Sequence, residues 1–176
     1  MGEEFFRLRD RVRDLETENA KLKKQLSEAI QPVVVPVIPV TDFVMISRND
    51  YIAEMRKVGI EPISLGTPLD AQLSLTSKAE LDRIAPELVY PAEWYIEGIW
   101  DCENYGLEAM NDSARLFHVN GITLCLGNMP LGYHGFAITM GKDMNVYWLE
   151  PNAGFLYAGV WHKIGAQGYK PNKVFV

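Results

Sequence analysis

Residues 100–106, Trp-Asp-Cys-Glu-Asn-Tyr-Gly, decide the fold because they begin the helix on which the second half of the chain is built. Asp101 is a preferred N-cap residue, so Cys102 takes the first helical position. Counting helical turns from Cys102 places Gly106 and Phe117 on one face, which is mostly apolar. The pattern predicts a core-facing helix from Cys102 to about Phe117.

Apolar runs after this helix are typical of β-strands. They lie at residues 121–126, 133–140, 145–150 and 155–163. Two short helices are predicted earlier in the chain. The first covers Tyr51 to Val58 with Asn49 or Asp50 as its cap, and the second follows a capping box at residues 77–80. One helix followed by an antiparallel sheet predicts an α+β fold.

The N-terminal region carries a heptad repeat over residues 5–29. The seam consists of Phe5, Val12, Asn19 and Leu26 at a positions and Leu8, Leu15, Leu22 and Ala29 at d positions. Oppositely charged g and e residues would face each other between parallel helices. We therefore predict a parallel coiled coil that forms a homodimer or homotrimer. Val12 and Asn19 at a positions favour two strands, whereas residues 11–16 resemble a trimer motif.

Prolines separate this helix from the rest of the chain. Pro32, Pro36 and Pro39 remove backbone donors and favour an extended conformation. The predicted organisation is a coiled-coil oligomerisation helix at 1–30, a proline-rich linker or edge strand at 31–40, and one domain at 41–176.

Charge and hydropathy exclude several classes of partner and location. Residues 1–30 hold seven basic and seven acidic residues, which leaves 10 basic and 16 acidic residues in the remainder of the 176. This acidic remainder argues against nucleic acid and anionic membranes as partners. No signal peptide or membrane span is recognised. We expect a soluble, cytoplasmic or virion-associated protein whose two cysteines are reduced.

Three residues have the types and contexts that nucleophilic chemistry requires. Cys102 lies at a helix start, where the helix dipole favours a thiolate, although Asp101 and Glu103 oppose it. His134 opens a strand on its core-facing side, and Glu150 ends the next strand, where a buried carboxylate needs a partner such as a histidine. The three residues are candidates for a single site.

Three short motifs resemble the peptidase-like domain of mushroom agglutinins and its bacterial and viral relatives. These are Asp-Cys-Glu-Asn-Tyr-Gly at 101–106, Gly-Tyr-His-Gly-Phe at 132–136 and Trp-Leu-Glu-Pro-Asn-Ala-Gly at 148–154. Those proteins belong to the papain-like and transglutaminase-like superfamily. The chain departs from them at Asn104, where they have an acid, and at Gly106, where they have Ala.

The resemblance implies a cysteine hydrolase, either a peptidase or an amidase, acting on a protein, peptide or peptidoglycan-like amide. Cys102 would be the nucleophile, His134 the base and Glu150 the orienting residue, with an acyl-enzyme as intermediate. Asn152 is the rival orienting residue. No cofactor or metal is predicted, because Cys102, His134 and Glu150 lack a further Cys or His at zinc-ligand spacing.

A non-catalytic protein is the alternative: a binding or structural head displayed by the coiled coil, possibly a virion component. Its contacts with sugar or protein would come from Trp94, Tyr95, Trp100, Tyr133, Trp148 and Trp161. Cys125, His118 and His162 are interpreted as structural. Reactivity separates the two functions, because the hydrolase predicts that Cys102 alkylates well below the usual thiol pKa of about 8.5 while Cys125 does not.

Overall fold

The computed structural model describes residues 2–29, 37–63 and 70–176; within the first range, side chains are described for residues 11–24. The chain divides into two units, residues 1–36 and residues 37–176. The predicted linker at 31–40 therefore lies outside the described residues, except for its last four positions.

Helix α1, Gly2–Ala29, forms the first unit. Its seam residues Val12, Leu15 and Leu22 are 53%, 50% and 57% exposed. The described side chains of the seam therefore form an exposed apolar stripe. A coiled-coil seam is exposed in this way when a single chain is considered without its partner helices. The side chains of Phe5, Leu8, Leu26 and Ala29 lie outside the described part.

The second unit is a mixed α+β fold, as predicted. Its helices are α2 (Arg48–Lys57), α3 (Lys78–Ile84) and α4 (Cys102–Phe117). Its strands are β1 (Phe43–Ser47), β2 (Glu61–Ile63), β3 (Gln72–Thr76), β4 (Thr123–Met129), β5 (Gly132–Met140), β6 (Val146–Leu149), β7 (His162–Lys163) and β8 (Lys170–Phe175). Strands β1 and β3 form an antiparallel pair, and the other six form a sheet in the order β2-β8-β4-β5-β6-β7.

Serine hydroxyls cap the two shorter helices. Ser77 accepts a hydrogen bond from Glu80 N at 3.3 Å, which confirms the predicted cap of α3. Ser47 does the same for Asp50 N at 3.1 Å, so α2 begins at Arg48. The expectation of a cap at Asn49 or Asp50 was wrong because the Ser47 hydroxyl lies three residues before Asp50 and satisfies its N–H.

Helix α4 packs closely on the sheet because Gly106 has no side chain. A Cβ on Gly106 would lie 2.5 Å from Leu124 Cδ1 and 3.5 Å from Phe136 O. The helix and the sheet bury an apolar cluster that includes Tyr105, Ala109 and Leu149. This packing holds the start of α4 against the first residues of β5.

The end of the chain differs from the predicted strand at 155–163. Only His162–Lys163 pairs with β6, and the residues before it form turns, with Phe155 N donating to Asn152 O at 3.1 Å and Gly159 at φ +77°. Strand β8 was not predicted, and it contains Pro171, which is unusual in a central strand. The register shift between Leu126 and Gly127 accommodates that proline.

No helix in the described residues is long and apolar enough to cross a membrane.

Candidate functional site

Strands β5 and β6 bring His134 and Glu150 together. His134 Nε2 lies 2.8 Å from Glu150 Oε2, and the two residues are 7% and 0% exposed. Because a carboxylate accepts hydrogen bonds, Nε2 is the donor in this contact, and Nδ1 is the ring nitrogen that Glu150 leaves free. The pairing of the strands therefore fixes the position of the imidazole.

Two further donors satisfy the buried Glu150 carboxylate. Tyr169 OH donates to Oε2 at 3.0 Å, and Asn152 N donates to Oε1 at 3.1 Å. Burial and the nearby Glu150 carboxylate raise the pKa of Tyr169, so its hydroxyl remains a donor. Sequence reasoning missed Tyr169. A buried carboxylate signals that donors are needed, but nothing in the sequence says which residue supplies them.

Asn152 has a different role from the orienting one considered for it. Its Oδ1 accepts a hydrogen bond from Gly154 N at 2.8 Å, which closes the turn after β6. The residue is buried, and its backbone N–H contacts Glu150. Asn152 therefore supports the position of Glu150, whereas Glu150 itself contacts the imidazole.

Cys102 lies at the first position of α4, next to the start of β5. The Gly135 N–H hydrogen-bonds the sulfur, and a Cβ on Gly135 would lie 3.1 Å from both the carbonyl carbon and the carbonyl oxygen of Cys102. Gly135 follows His134 directly, so the backbone of β5 beside His134 contacts the start of α4. The structure thus pairs His134 with Glu150 and places Cys102 against the backbone of the strand that carries His134.

The surroundings of the Cys102 thiol favour its protonated form. The thiol donates to Glu103 Oε2 at 3.1 Å. Burial first, and then the hydrogen bond to Glu103, raise its pKa to about 11, although the Gly135 N–H acts in the opposite direction. Burial and the Glu103 carboxylate therefore act against the reactive thiolate that the helix dipole favours.

Asp101 and Glu103 form an acidic edge beside the thiol. A hydrogen bond to Glu103 raises the pKa of Asp101, while the bonds that Glu103 accepts from Cys102 and Asp101 lower its own pKa. Asn104 Oδ1 accepts a hydrogen bond from Asp101 N at 3.1 Å. Asn104 therefore caps the backbone at the position where the resembling proteins have an acid.

Three exposed aromatic side chains lie on segments connected to these residues. Trp94, Tyr95 and Tyr133 are 44%, 50% and 55% exposed. Tyr133 precedes His134, and the segment carrying Trp94 is joined to the turn after β6 by the Tyr90–Asn152 bridge. Trp148 and Trp161 are buried and Trp100 is half-buried, so the first two are core residues and not contact residues.

The remaining candidates have structural surroundings. Cys125 is fully buried, His118 ends α4 at φ +61°, and the His162 ring stacks on Trp148 with centroids 4.6 Å apart. Within residues 2–29, 37–63 and 70–176, no group of three or more His, Cys, Asp and Glu side chains is placed to hold a metal ion.

Comparison with known proteins identifies the fold. The sequence matches no protein-family profile and no curated protein sequence. It is similar in structure to Polyporus squamosus lectin bound to the human-type influenza-binding epitope Neu5Aca2-6Galb1-4GlcNAc, with a TM-score of 0.55, 15% identity, and coverage of 75% of this chain and 49% of that chain. It is also similar to PSL1a in its E64 complex, with a TM-score of 0.53, 14% identity, and coverage of 75% and 51%.

Two solved structures therefore share this fold. The chain spans about half the length of these neighbours. The resemblance to mushroom agglutinins is supported at the level of the fold, whereas membership of the papain-like superfamily is not shown.

The comparison corrects the predicted function. A cysteine peptidase or amidase acting on protein, peptide or peptidoglycan-like amides was expected, but the neighbouring fold is that of a lectin with a sialylated glycan. The structure gives a physical reason for the correction. The Cys102 thiol donates to Glu103, and burial with this hydrogen bond raises its pKa to about 11, which disfavours the thiolate that the expected mechanism requires.

Proposed function

We propose that residues 37–176 form a carbohydrate-binding domain. One observation carries the proposal: exposed aromatic side chains lie on the segments that border a buried, hydrogen-bonded polar pair. Ligand sites combine apolar and aromatic walls with a few fixed polar groups. The proposed site residues are Trp94, Tyr95, Cys102, His134, Tyr133 and Glu150.

The aromatic side chains supply the contact area. Trp94 stacks on Tyr90 with centroids 5.6 Å apart, and it meets Trp100 edge to face at 6.1 Å. These contacts hold the Trp94 ring before a ligand arrives, which reduces the entropy lost on binding. A flat, preorganised ring suits the apolar C–H face of a sugar.

The polar residues supply the hydrogen bonds. His134 Nδ1 accepts from a sugar hydroxyl, because Nε2 already donates to Glu150. The Glu103 carboxylate, which is exposed, also accepts from hydroxyl groups. In this arrangement Glu150 acts as a positioning residue, since it is fully buried and acts through the imidazole.

The acidic edge favours an uncharged glycan over a sialylated one. Asp101 and Glu103 lie beside the thiol, and a sialic acid carboxylate in the same space would be repelled by them. The proposed preference therefore differs from the sialylated ligand named for the neighbouring lectin. This preference follows from the positions of Asp101 and Glu103 in this chain.

A matched pair of glycans tests this proposal. Binding of Galβ1-4GlcNAc and of its α2-6-sialylated form would be measured by calorimetry with the full chain. We expect the neutral disaccharide to bind more tightly than its sialylated form. Trp94→Ala and Tyr133→Ala should each lower the affinity for the neutral disaccharide at least tenfold, which corresponds to a loss of about 1.4 kcal/mol in binding free energy.

Phe43→Ala is the control, because Phe43 is also an exposed aromatic residue, at 41%, but lies on β1. It should leave the affinity unchanged. Absence of binding to either glycan, or equal binding by the Trp94→Ala protein, would refute the proposed function.

We also propose that α1 forms the predicted parallel coiled coil. Val12, Leu15 and Leu22 lie at a and d positions of the heptad and are about half exposed. Several chains joined in this way would present several binding sites, which increases avidity for a multivalent surface. The predicted cytoplasmic or virion-associated location belongs to the same proposal.

Sedimentation of full-length variants tests the coiled coil. Leu15→Lys with Leu22→Lys should reduce the apparent mass to that of one chain, because both charges fall on the seam. Ala20→Lys is the control, since Ala20 lies off the seam. A single-chain mass for the unmodified protein would contradict the proposal.

A further inference from the structure

We infer that a cavity of about 230 Å³ beside His134 is a subsite for the N-acyl substituent of an amino sugar. The inference rests on the proposed carbohydrate-binding function. It specifies which part of the ligand enters the fold and which sugars are preferred.

The cavity shares its walls with the candidate site. Phe155 lines it and lies against the imidazole of His134, with ring centroids 4.8 Å apart. Tyr169 also lines it, and its hydroxyl donates to Glu150 at 3.0 Å. A ligand that contacts His134 therefore has the cavity directly beside it.

The lining selects an uncharged, mostly apolar group. Six of its eight residues are Met, Pro, Leu, Phe or Tyr157, and the other two are Gln167 and Tyr169. No charged side chain is among these eight residues, so a carboxylate, phosphate or ammonium group entering the cavity would lose its hydration without a counter-charge. An anionic sugar is excluded from this position.

The volume fits one substituent and not a complete ligand. Typical small-molecule pockets occupy roughly 300–1,000 Å³, so a cavity of about 230 Å³ takes part of a ligand whose remainder lies outside. Leu131 and Leu156 line it and are 84% and 87% exposed. A bound sugar would cover these two side chains and remove apolar surface from water.

An acylamino group matches this combination better than a hydroxyl group does. Its alkyl part contacts the apolar walls, while its amide pairs with the Gln167 amide, which can donate and accept. A hydroxyl group alone would leave the apolar walls without contacts. The site therefore distinguishes sugars that differ only at this substituent.

A series of methyl glycosides tests the inference by calorimetry with the full chain. The probes are glucose and the N-acetyl, N-propionyl and N-butyryl forms of glucosamine. We expect N-acetylglucosamine to bind more tightly than glucose, and each added CH₂ group to increase affinity about fourfold until the cavity is full.

Two substitutions at the mouth of the cavity locate the effect. Leu131→Arg with Leu156→Arg should remove the dependence on acyl length, because two charged side chains then replace the apolar mouth that the acyl group would cover. Ile38→Arg is the control, since Ile38 is 64% exposed and does not line the cavity.

The outcomes separate this inference from the function on which it rests. If glucose and all N-acyl sugars bind equally, or if the double variant keeps the acyl preference, the subsite is refuted while carbohydrate binding stands. If none of the sugars binds, the carbohydrate-binding function fails and the subsite fails with it.

Discussion

Glu150 and Glu103 are two carboxylates of the candidate site, and their surroundings differ. Glu150 is fully buried at the end of β6 and receives hydrogen bonds from His134, Tyr169 and the Asn152 backbone. Glu103 is exposed in the first turn of α4 and accepts from the neighbouring thiol.

This difference shows that burial determines whether a glutamate contributes to stability or affects a neighbouring side chain. A buried carboxylate is tolerated only when its oxygens are bonded, so Glu150 connects three separate segments of the chain. An exposed carboxylate is hydrated and contributes little to stability. Glu103 instead helps to raise the pKa of the neighbouring Cys102 thiol.

The largest effect is expected from removing the buried carboxylate. Glu150→Ala leaves His134 Nε2, Tyr169 OH and Asn152 N without their acceptor, and we expect a loss of about 4 kcal/mol in the free energy of unfolding. Urea denaturation measures it. Glu103→Ala is the matched control and should change stability by less than about 0.5 kcal/mol. Equal losses of stability in the two variants would show that the buried Glu150 contributes no more to stability than the exposed Glu103.

A smaller effect is expected from removing one donor. Tyr169→Phe deletes the hydrogen bond to Glu150 but keeps the ring, which stacks on Trp148 with centroids 3.8 Å apart. Hydrogen bonds to charged groups contribute about 1.5–3 kcal/mol, so the loss on denaturation should lie in that range. Tyr133→Phe, at an exposed tyrosine, should be near neutral. No loss in Tyr169→Phe would show that the buried network does not depend on the Tyr169 hydroxyl.

Glu103 should affect reactivity instead of stability. Because the pKa of Cys102 is raised to about 11, Cys102 should react with iodoacetamide at pH 8 at least tenfold more slowly than free cysteine. Glu103→Gln removes the carboxylate that helps raise this pKa, so the reaction should become faster. Mass-spectrometric mapping distinguishes Cys102 from Cys125. Rapid alkylation of Cys102 at pH 7 in the unmodified protein would mean that its thiolate is stabilised after all.

The smallest expected effect is on stability at alkaline pH. The pKa of Cys102 is raised from 9.0 to about 11 on folding, so the folded state holds this proton more tightly. The resulting stabilisation is present below pH 9 and is lost as the pH rises towards 11. Screening of the half-buried thiol reduces it to the order of 1 kcal/mol. Chemical denaturation from pH 8 to 11 should show a steeper decline for the unmodified protein than for Cys102→Ser.

Local signals in the sequence predicted the elements that position the site. Asp101 and the apolar spacing after Cys102 indicated both ends of α4, since a cap and a periodic face depend on neighbouring residues only. Alternation along two strands likewise placed His134 and Glu150 towards the core. These features depend on short stretches of chain.

Features that depend on distant segments could not be predicted. Tyr169 reaches Glu150 only because β8 joins the sheet beside β4, and the bulge that allows Pro171 there has no local signal. The charge state of Cys102 depends on a balance of helix dipole, burial and Glu103, and only the folded structure shows how deeply the sulfur is buried. The composition of the cavity similarly depends on three separate loops.

The parallel pairing of β2 with β8 has a consequence for the kinetics of folding. It joins Glu61 to Lys173, whereas β4, β5 and β6 follow one another directly in the chain. Closing a long loop loses more chain entropy than closing a hairpin does, so high contact order slows folding. We expect the β4–β6 meander and α4 to form early and β2 to dock last. Refolding would then have a transition state in which the Cys102 region is ordered and β2 is not.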